Sequence, residues 1–196
     1  SGVWEQTSHR LGHPPPGARW IKVGDRGADI YDHLMSCRGN GQDFVIRAQA
    51  DRVIEEKPGR LFVAARATAA KDETSPLTLR RRGQVPKRTA RLSVSVTVVR
   101  IQSPQVVGFR RGARPALTVT LVRAWEADPP PGVTALEWIL LTSLPVETTA
   151  QAWEIVRMYA TRWLEEEFHK ALKTGLGLER QQLESAAGWF ALTALM

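Results

Sequence analysis

Two runs in the middle of this chain restrict its fold more than any other feature. Leu92-Ser-Val-Ser-Val-Thr-Val-Val99 and Ala116-Leu-Thr-Val-Thr-Leu-Val122 alternate apolar and hydroxyl side chains with a period of two. That pattern belongs to strands with one packed face and one wetter face, and branched Val and Thr suit a pleated sheet. Leu61-Phe-Val-Ala64 reads as a further short strand. Gly and Pro punctuate the series at Pro58-Gly59, Gly83, Pro86, Pro104, Gly108, Gly112 and Pro115. Residues 51–135 are therefore expected to form a block of several strands, mostly antiparallel.

The flanks carry a different pattern. Ser1 to Arg19 is polar, contains Pro14-Pro15-Pro16-Gly17, and reads as an irregular entry. Trp20-Ile-Lys-Val-Gly24 is a short apolar strand with Asp25 directly at its end. Gly27 to Met35 has helical spacing at Ala28, Ile30, Tyr31 and Leu34, and Phe44-Val-Ile-Arg47-Ala48 is the next strand. Strand, helix and strand in close succession suit an α/β sheet. Asp128-Pro-Pro-Pro-Gly132 closes the β-rich block, and Leu136 to Thr142 is another apolar strand. From Thr148 the spacing turns helical, with Ala152, Ile155, Val156, Tyr159 and Trp163 on one side and Gly175 as a stop. The expected fold class is α/β, divided into residues 1–50, a β-rich insertion over 51–135, and a returning strand with helices over 136–196. The chain ends at Met196 within a further helical pattern, which suggests a truncated C-terminus.

At 196 residues and 43% apolar, the chain can bury a core as one domain with an inserted part. No apolar run reaches the roughly 18 residues of a membrane span, and the N-terminus lacks a signal-peptide pattern. A soluble cytoplasmic protein is the expectation. Cys37 is the single cysteine, and His9, His13, His33 and His169 are scattered, so neither a disulfide nor a zinc cluster is expected. The net charge is +7, and its distribution is uneven. From Thr74 to Trp125 there is no Asp or Glu, yet 11 of the 27 Lys and Arg residues lie there, leaving 16 against 20 acids elsewhere. Such a basic block points to a polyanion, and to nucleic acid before membrane because no apolar amphipathic face accompanies it. The plainer alternative is a merely solubilising basic surface.

The stretch Tyr159-Ala-Thr-Arg162-Trp-Leu-Glu-Glu166-Glu-Phe-His-Lys170-Ala-Leu-Lys173 carries the most chemistry. On one helix, Tyr159, Arg162, Glu166, Lys170 and Lys173 fall within roughly 80° of one another. One alternative is a solvated, salt-bridged face. The other is a metal-binding carboxylate among groups that grip phosphate. Asp25 at a strand end would supply a second hard oxygen ligand of the kind Mg²⁺ takes. Asp29 and Asp32, on the helix after Asp25, read better as capping or salt-bridging residues than as extra ligands.

Tyr159, Arg162, Glu166 and Lys173 reproduce the Y-x2-R-x3-E-x6-K signature, and the surrounding string resembles that of bacterial insertion-sequence transposases of the DDE class. Gly24-Asp25-Arg-Gly-Ala-Asp29-Ile resembles the segment around that family's second catalytic Asp. Leu136-Glu-Trp138-Ile-Leu-Leu-Thr-Ser resembles its returning strand. The resemblance runs from about Trp4 to the last residue and is weakest in the β block.

This resemblance implies an RNase H-like core interrupted by a β-strand insertion. It also implies an endonuclease that cleaves transposon ends and transfers the 3′-hydroxyl strand to DNA. Asp25 and Glu166 would bind Mg²⁺ or Mn²⁺, two ions in a complete site. Tyr159, Arg162, Lys170 and Lys173 would contact phosphates, and Arg47 would contact DNA. Trp138 would stack on a flipped base and Trp163 would fill the gap it leaves. For both tryptophans a core position is the alternative, and for Arg47 a buried pairing with an acid. The family's first catalytic Asp has no counterpart among these residues, so an inactive C-terminal fragment is expected. A non-catalytic DNA-binding relic or transposition inhibitor is the competing function. The implied partners are double-stranded DNA and, for the whole protein, a second copy bound to it, in the bacterial nucleoid.

Overall fold

The computed structural model of the chain describes residues 2–79, 86–104 and 115–171, and of Glu165, Glu166 and His169 it describes the backbone alone. Residues 1–160 form one compact unit and residues 161–196 belong to a second. The first unit is a mixed α/β assembly on a six-stranded sheet. Its strands are β1 (Ile21–Gly24), β2 (Asp43–Arg47), β3 (Ser75–Leu79), β4 (Arg88–Ile101), β5 (Leu117–Glu126) and β6 (Glu137–Thr142), in the order β1-β2-β6-β5-β4-β3. β1 and β2 are parallel, and each other neighbouring pair is antiparallel. Around it lie α1 (Gly2–Leu11), a 3-10 turn (Arg26–Ala28), α2 (Tyr31–Gly39), α3 (Leu61–Ala67) and α4 (Thr149–Ala160). The described helix of the second unit is α5 (Trp163–Lys170).

Period-two alternation divides the core into two layers. Phe44, Ile46, Leu121, Ile139 and Leu141 meet Tyr31 and Leu34 of α2 and Leu61 and Ala65 of α3 on one face. Val45, Val94, Val122 and Leu140 meet Ala152, Ile155, Val156 and Tyr159 of α4 on the other. β4 shows the alternation within one strand, since Leu92 and Val94 join the α4 layer and Val99 and Ile101 the opposite one. Phe44, Leu140 and Leu141 have no exposed surface. Burying each stabilises the fold by about 1.5–3 kcal/mol, so the middle of the sheet tolerates change least.

Several local expectations are corrected. Leu61 to Ala64 opens a helix, not a strand: Leu61, Ala64 and Ala65 are buried at helical spacing while Val63 is 48% exposed. Four apolar residues are too few to separate the two periods. The polar N-terminus contains α1, which docks through small and polar groups. Ser8 is wholly buried, Lys22 Nζ donates to its Oγ at 2.5 Å, and Gln42 Nε2 donates to its carbonyl at 3.1 Å. A helix packed in this way leaves little apolar periodicity to detect. β3 lies at the sheet edge, where Pro76 costs no central ladder bond. Tyr159 and Lys170 do not share one uninterrupted helix: α4 ends at Ala160, Thr161 and Arg162 form a turn, and α5 opens at Trp163.

Candidate metal and nucleic-acid site at the carboxyl end of the sheet

Topology gathers four of the candidate residues at one end of the sheet. β1 and β2 run parallel with Gly24 opposite Ile46, so Asp25 leaves β1 level with Arg47, the last residue of β2. β6 runs antiparallel to β2, with Leu140 opposite Arg47, and so begins at this same end. α4 returns there as well, and the rings of Trp138 and Tyr159 meet edge to face with centroids 4.9 Å apart and planes at 73°. By strand alternation Arg47, Leu140 and Trp138 share the α4 face. Trp138 packs half-buried against that layer, and Tyr159 is buried in it.

Close packing sets the turn that holds Asp25. A Cβ on Gly24 would stand 2.6 Å from the Ala28 Cβ and 3.4 Å from Ile46 Cγ1. Only glycine lets the 3-10 turn approach the strand this closely. Asp25 is exposed and caps the turn, its Oδ1 accepting from Gly27 N at 2.8 Å. Its Oδ2 has no protein partner among the described residues. A solvent-facing carboxylate with one oxygen uncommitted fits a hard cation, which commonly takes one or two protein carboxylates plus water and phosphate oxygens. Among the described residues no group of three or more His, Cys, Asp or Glu could hold a metal. A metal site that included Asp25 would therefore need carboxylates from outside the described side chains.

Asp29, only four residues on, lies in the opposite situation. Its side chain has no exposed surface and pairs with Arg52, whose Nη2 and Nε donate to Oδ1 at 2.7 and 3.1 Å. Gln49 N and Ala50 N donate to Oδ2 at 2.7 and 3.2 Å. The salt-bridging reading of Asp29 holds.

Arg47 is half-buried, and its Nη2 donates to the Glu137 carbonyl at 3.0 Å. It pairs with no acid among the described residues, so the alternative of a buried ion pair is not what the structure contains. The Glu137 carboxylate faces the opposite side of the sheet and takes Arg66 Nη2 at 2.7 Å and Arg123 Nε at 2.9 Å. The hydrogen bond from Arg66, then that from Arg123, outweighs burial and holds the Glu137 carboxyl below the usual carboxylate range. Arg123 also stacks 4.0 Å from the Trp125 ring centroid.

The acid-free stretch is less bare in space than in sequence. Arg88 forms a two-pronged pair with Glu126, one bond being 2.7 Å, and this depresses the Glu126 carboxyl. Arg100 pairs with Glu55 at 2.8 Å. Acids just outside the stretch, or strands away from it, meet these arginines, which a count along the chain could not reveal. Arg80, Arg81, Arg82, Arg110, Arg111 and Arg114 lie outside the described residues.

In the second unit, Arg162 sits in the turn before α5 and Trp163 is its first residue, both half-buried. Glu166 is placed in α5 by its backbone, and the exposed Lys170 closes that helix. Lys173 lies outside the described residues. Two residues that sequence patterns did not single out prove structurally central: Arg52 as the partner of Asp29, and Glu137 as the meeting point of three arginines. The available signal for Glu137 was an acid beside the apolar run that begins β6.

No described helix is long and apolar enough to cross a membrane. A model of the family described as the transposase DDE domain matches residues 13–195, nearly the whole chain. That family acts in DNA transposition, and its chemistry is cleavage and phosphoryl transfer on DNA. With that match covering the sheet, the Asp25 turn and α5 alike, this chain belongs to the transposase DDE domain family.

Proposed function

We propose that this chain forms the C-terminal part of the catalytic domain of a metal-dependent cut-and-paste transposase of the insertion-sequence class, with Asp25 and Glu166 as metal-binding carboxylates. The supporting observation is the convergence of Asp25, Arg47, Trp138 and Tyr159 at the carboxyl end of the sheet in a member of this family. Ligands of open α/β sheets bind at the carboxyl ends of strands. An RNase H-like core agrees with β2 and β6 lying side by side although residues 51–135 separate them in sequence. We read those residues as an insertion whose strands extend the core sheet.

Divalent ions bound by the two carboxylates would stabilise charge on the attacking and leaving oxygens of an in-line displacement at phosphorus. In hydrolysis a water oxygen bonds to the phosphorus, the bond to the 3′-oxygen breaks, and a 3′-hydroxyl is released. In strand transfer the oxygen of that hydroxyl bonds to a phosphorus of another strand, the bond from that phosphorus to its own 3′-oxygen breaks, and the proton passes to the departing 3′-oxygen. The chain's own residues bind and orient the DNA. Arg162 suits two phosphate oxygens at once, and Lys170 and Lys173 add point charges. Tyr159 offers a phenol at the end of α4, and its ring props Trp138 edge to face. Trp138 at the mouth of the site stacks on a flipped base, a contact worth about 1–3 kcal/mol, and Trp163 occupies the vacated gap. Arg47 extends the grip on DNA beyond β2.

The test is cleavage of duplexes bearing the element's own ends by the transposase polypeptide that contains this chain and the family's first catalytic Asp. Losing a metal ligand removes several kcal/mol of transition-state stabilisation, or about three orders of magnitude in rate. Asp25→Asn and Glu166→Gln should each show that loss while binding end DNA within about twofold of the parent. Undiminished cleavage by either variant contradicts the assignment of that residue.

A further inference from the structure

The most heavily bonded carboxylate in the described structure is Asp29, and its partners point to a role at the site rather than in the core. Asp25 and Asp29 bracket the same 3-10 turn, Asp25 as its N-cap and Asp29 as its C-cap. Inside the turn, Ala28 N donates to the Asp25 carbonyl at 3.1 Å and Asp29 N to the Arg26 carbonyl at 3.1 Å. One end of this turn is wedged against β1 and β2 through Ala28 and Gly24. The other end is fastened by Asp29. Its two carboxylate oxygens accept from Gln49 N, Ala50 N and Arg52, and its carbonyl accepts from Arg52 Nη2 at 2.6 Å.

The partners of Asp29 belong to the segment that leaves β2. Arg47 ends the strand, Ala48 N donates to the Ile139 carbonyl of β6 at 2.8 Å, and Gln49, Ala50 and Arg52 then turn back onto Asp29. A rigid path of a few residues therefore runs from the Asp25 turn, through Asp29, to Arg47 and the start of β6. Among the described residues the exposed Asp25 side chain has just one bond of its own, to Gly27 N. Its position is inherited from the backbone of the turn, and that backbone is held by Asp29.

We propose that Asp29 is a positioning residue for the metal-binding carboxylate: with Arg52 it locks the Asp25 turn to the exit of β2 and thereby fixes Asp25 relative to Arg47. This rests on the reading of Asp25 as a metal ligand. The lock preorganises the carboxylate, so that a bound cation meets an oxygen already in place. Groups that orient metal ligands typically change affinity by about 10–100-fold when removed, and Asp29 acts at one remove, through the backbone.

The probe is Mn²⁺ alone, added to the ¹⁵N-labelled full chain, with paramagnetic broadening of the Arg26 and Gly27 amide signals as the readout. The double variant Asp29→Asn/Arg52→Gln removes both charges together and leaves no unpaired buried ion. It should need about tenfold more Mn²⁺ for half-maximal broadening, with an unchanged far-ultraviolet spectrum. Arg52→Lys keeps the charge and the two backbone bonds to Asp29 but loses the two-pronged pair. It should shift the midpoint in the same direction by less, and it decides the matter if the double variant does not fold. A midpoint equal to the parent's in the folded variant overturns the positioning role. Asp25→Asn should abolish the broadening, and its persistence there would instead overturn the metal-ligand reading on which the proposal stands.

Discussion

At the carboxyl end of the sheet, the candidate site beside α4 and the ion pairs around it treat charge in opposite ways. Toward α4 stand Arg47, tied among the described residues to a backbone carbonyl alone, and the aromatic pair of Trp138 and Tyr159, and Asp25 leaves β1 beside them with one oxygen unengaged by any described residue. Around the site the charges are consumed, by Arg88 and Glu126 within the α4 layer and by further pairs on the α3 side. Glu137 holds Arg66 and Arg123, and Asp29 holds Arg52. The residue types are the same, and what differs is whether an opposite charge lies within reach. Where it does, the pair fastens the backbone. Where none of the described residues supplies one, the proposed function gives the group a ligand to hold.

The sharpest way to break this contrast is to remove one aspartate from each side. Asp29→Ala strands the half-buried Arg52 and the N–H groups of Gln49 and Ala50, and should cost on the order of 3 kcal/mol in urea unfolding. Asp25→Ala deletes one cap bond on a short exposed turn and should cost about 1 kcal/mol or less. Equal losses would erase the distinction between a structural and a functional carboxylate.

The arginines provide a smaller test. Arg47→Ala should weaken end-DNA binding and lower the slope of log affinity against log salt by about 1, the signature of one lost phosphate contact. Arg66→Ala, whose guanidinium is already engaged by Glu137, should leave that slope unchanged. If Arg66 moves the slope and Arg47 does not, the DNA lies on the other face.

The last effect is set by pH, at a histidine that lines one cavity with Gly24 and Ala28 of the Asp25 turn. His33 is buried against the Trp4 ring and the Cys37 sulfur, and burial, then the neighbouring Lys22, lowers its pKa to about 4. The fold favours neutral His33, so the unfolded chain takes up the proton first as pH falls. This contribution is complete above pH 6.5 and is lost on going down toward 4. Urea midpoints at pH 7 and pH 5 should differ, and His33→Gln should reduce the difference. Glu126 and Glu137, with depressed values, add their losses at lower pH, below the ordinary carboxylate range.

Much of the sheet was legible because its strands obey a simple rule. β4, β5 and β6 alternate faces over six or more residues, and Gly24 followed by Asp25 marks a strand end. α1 and α3 were not legible. Ser8 and Lys22 dock the first through polar bonds, and the second exposes only seven residues of pattern, of which Leu61-Phe-Val-Ala is equally compatible with a strand. Asp25 could be singled out by its place after an apolar strand and by the family string. Arg52 could not, because nothing in the sequence says that a residue 23 positions after Asp29 returns to it. The pairing of Arg88, Arg100 and Arg123 was likewise hidden, since their acids lie outside the acid-free stretch.

In the proposed function Asp25 touches a catalytic metal ion. Replacing it by cysteine exchanges a hard oxygen for a soft thiolate, which binds Mg²⁺ poorly and Mn²⁺ better. Cleavage of transposon-end DNA by the Asp25→Cys transposase, measured in each metal, should be lost in Mg²⁺ and substantially restored in Mn²⁺. Cleavage in Mg²⁺ at the parent rate would contradict direct coordination by Asp25.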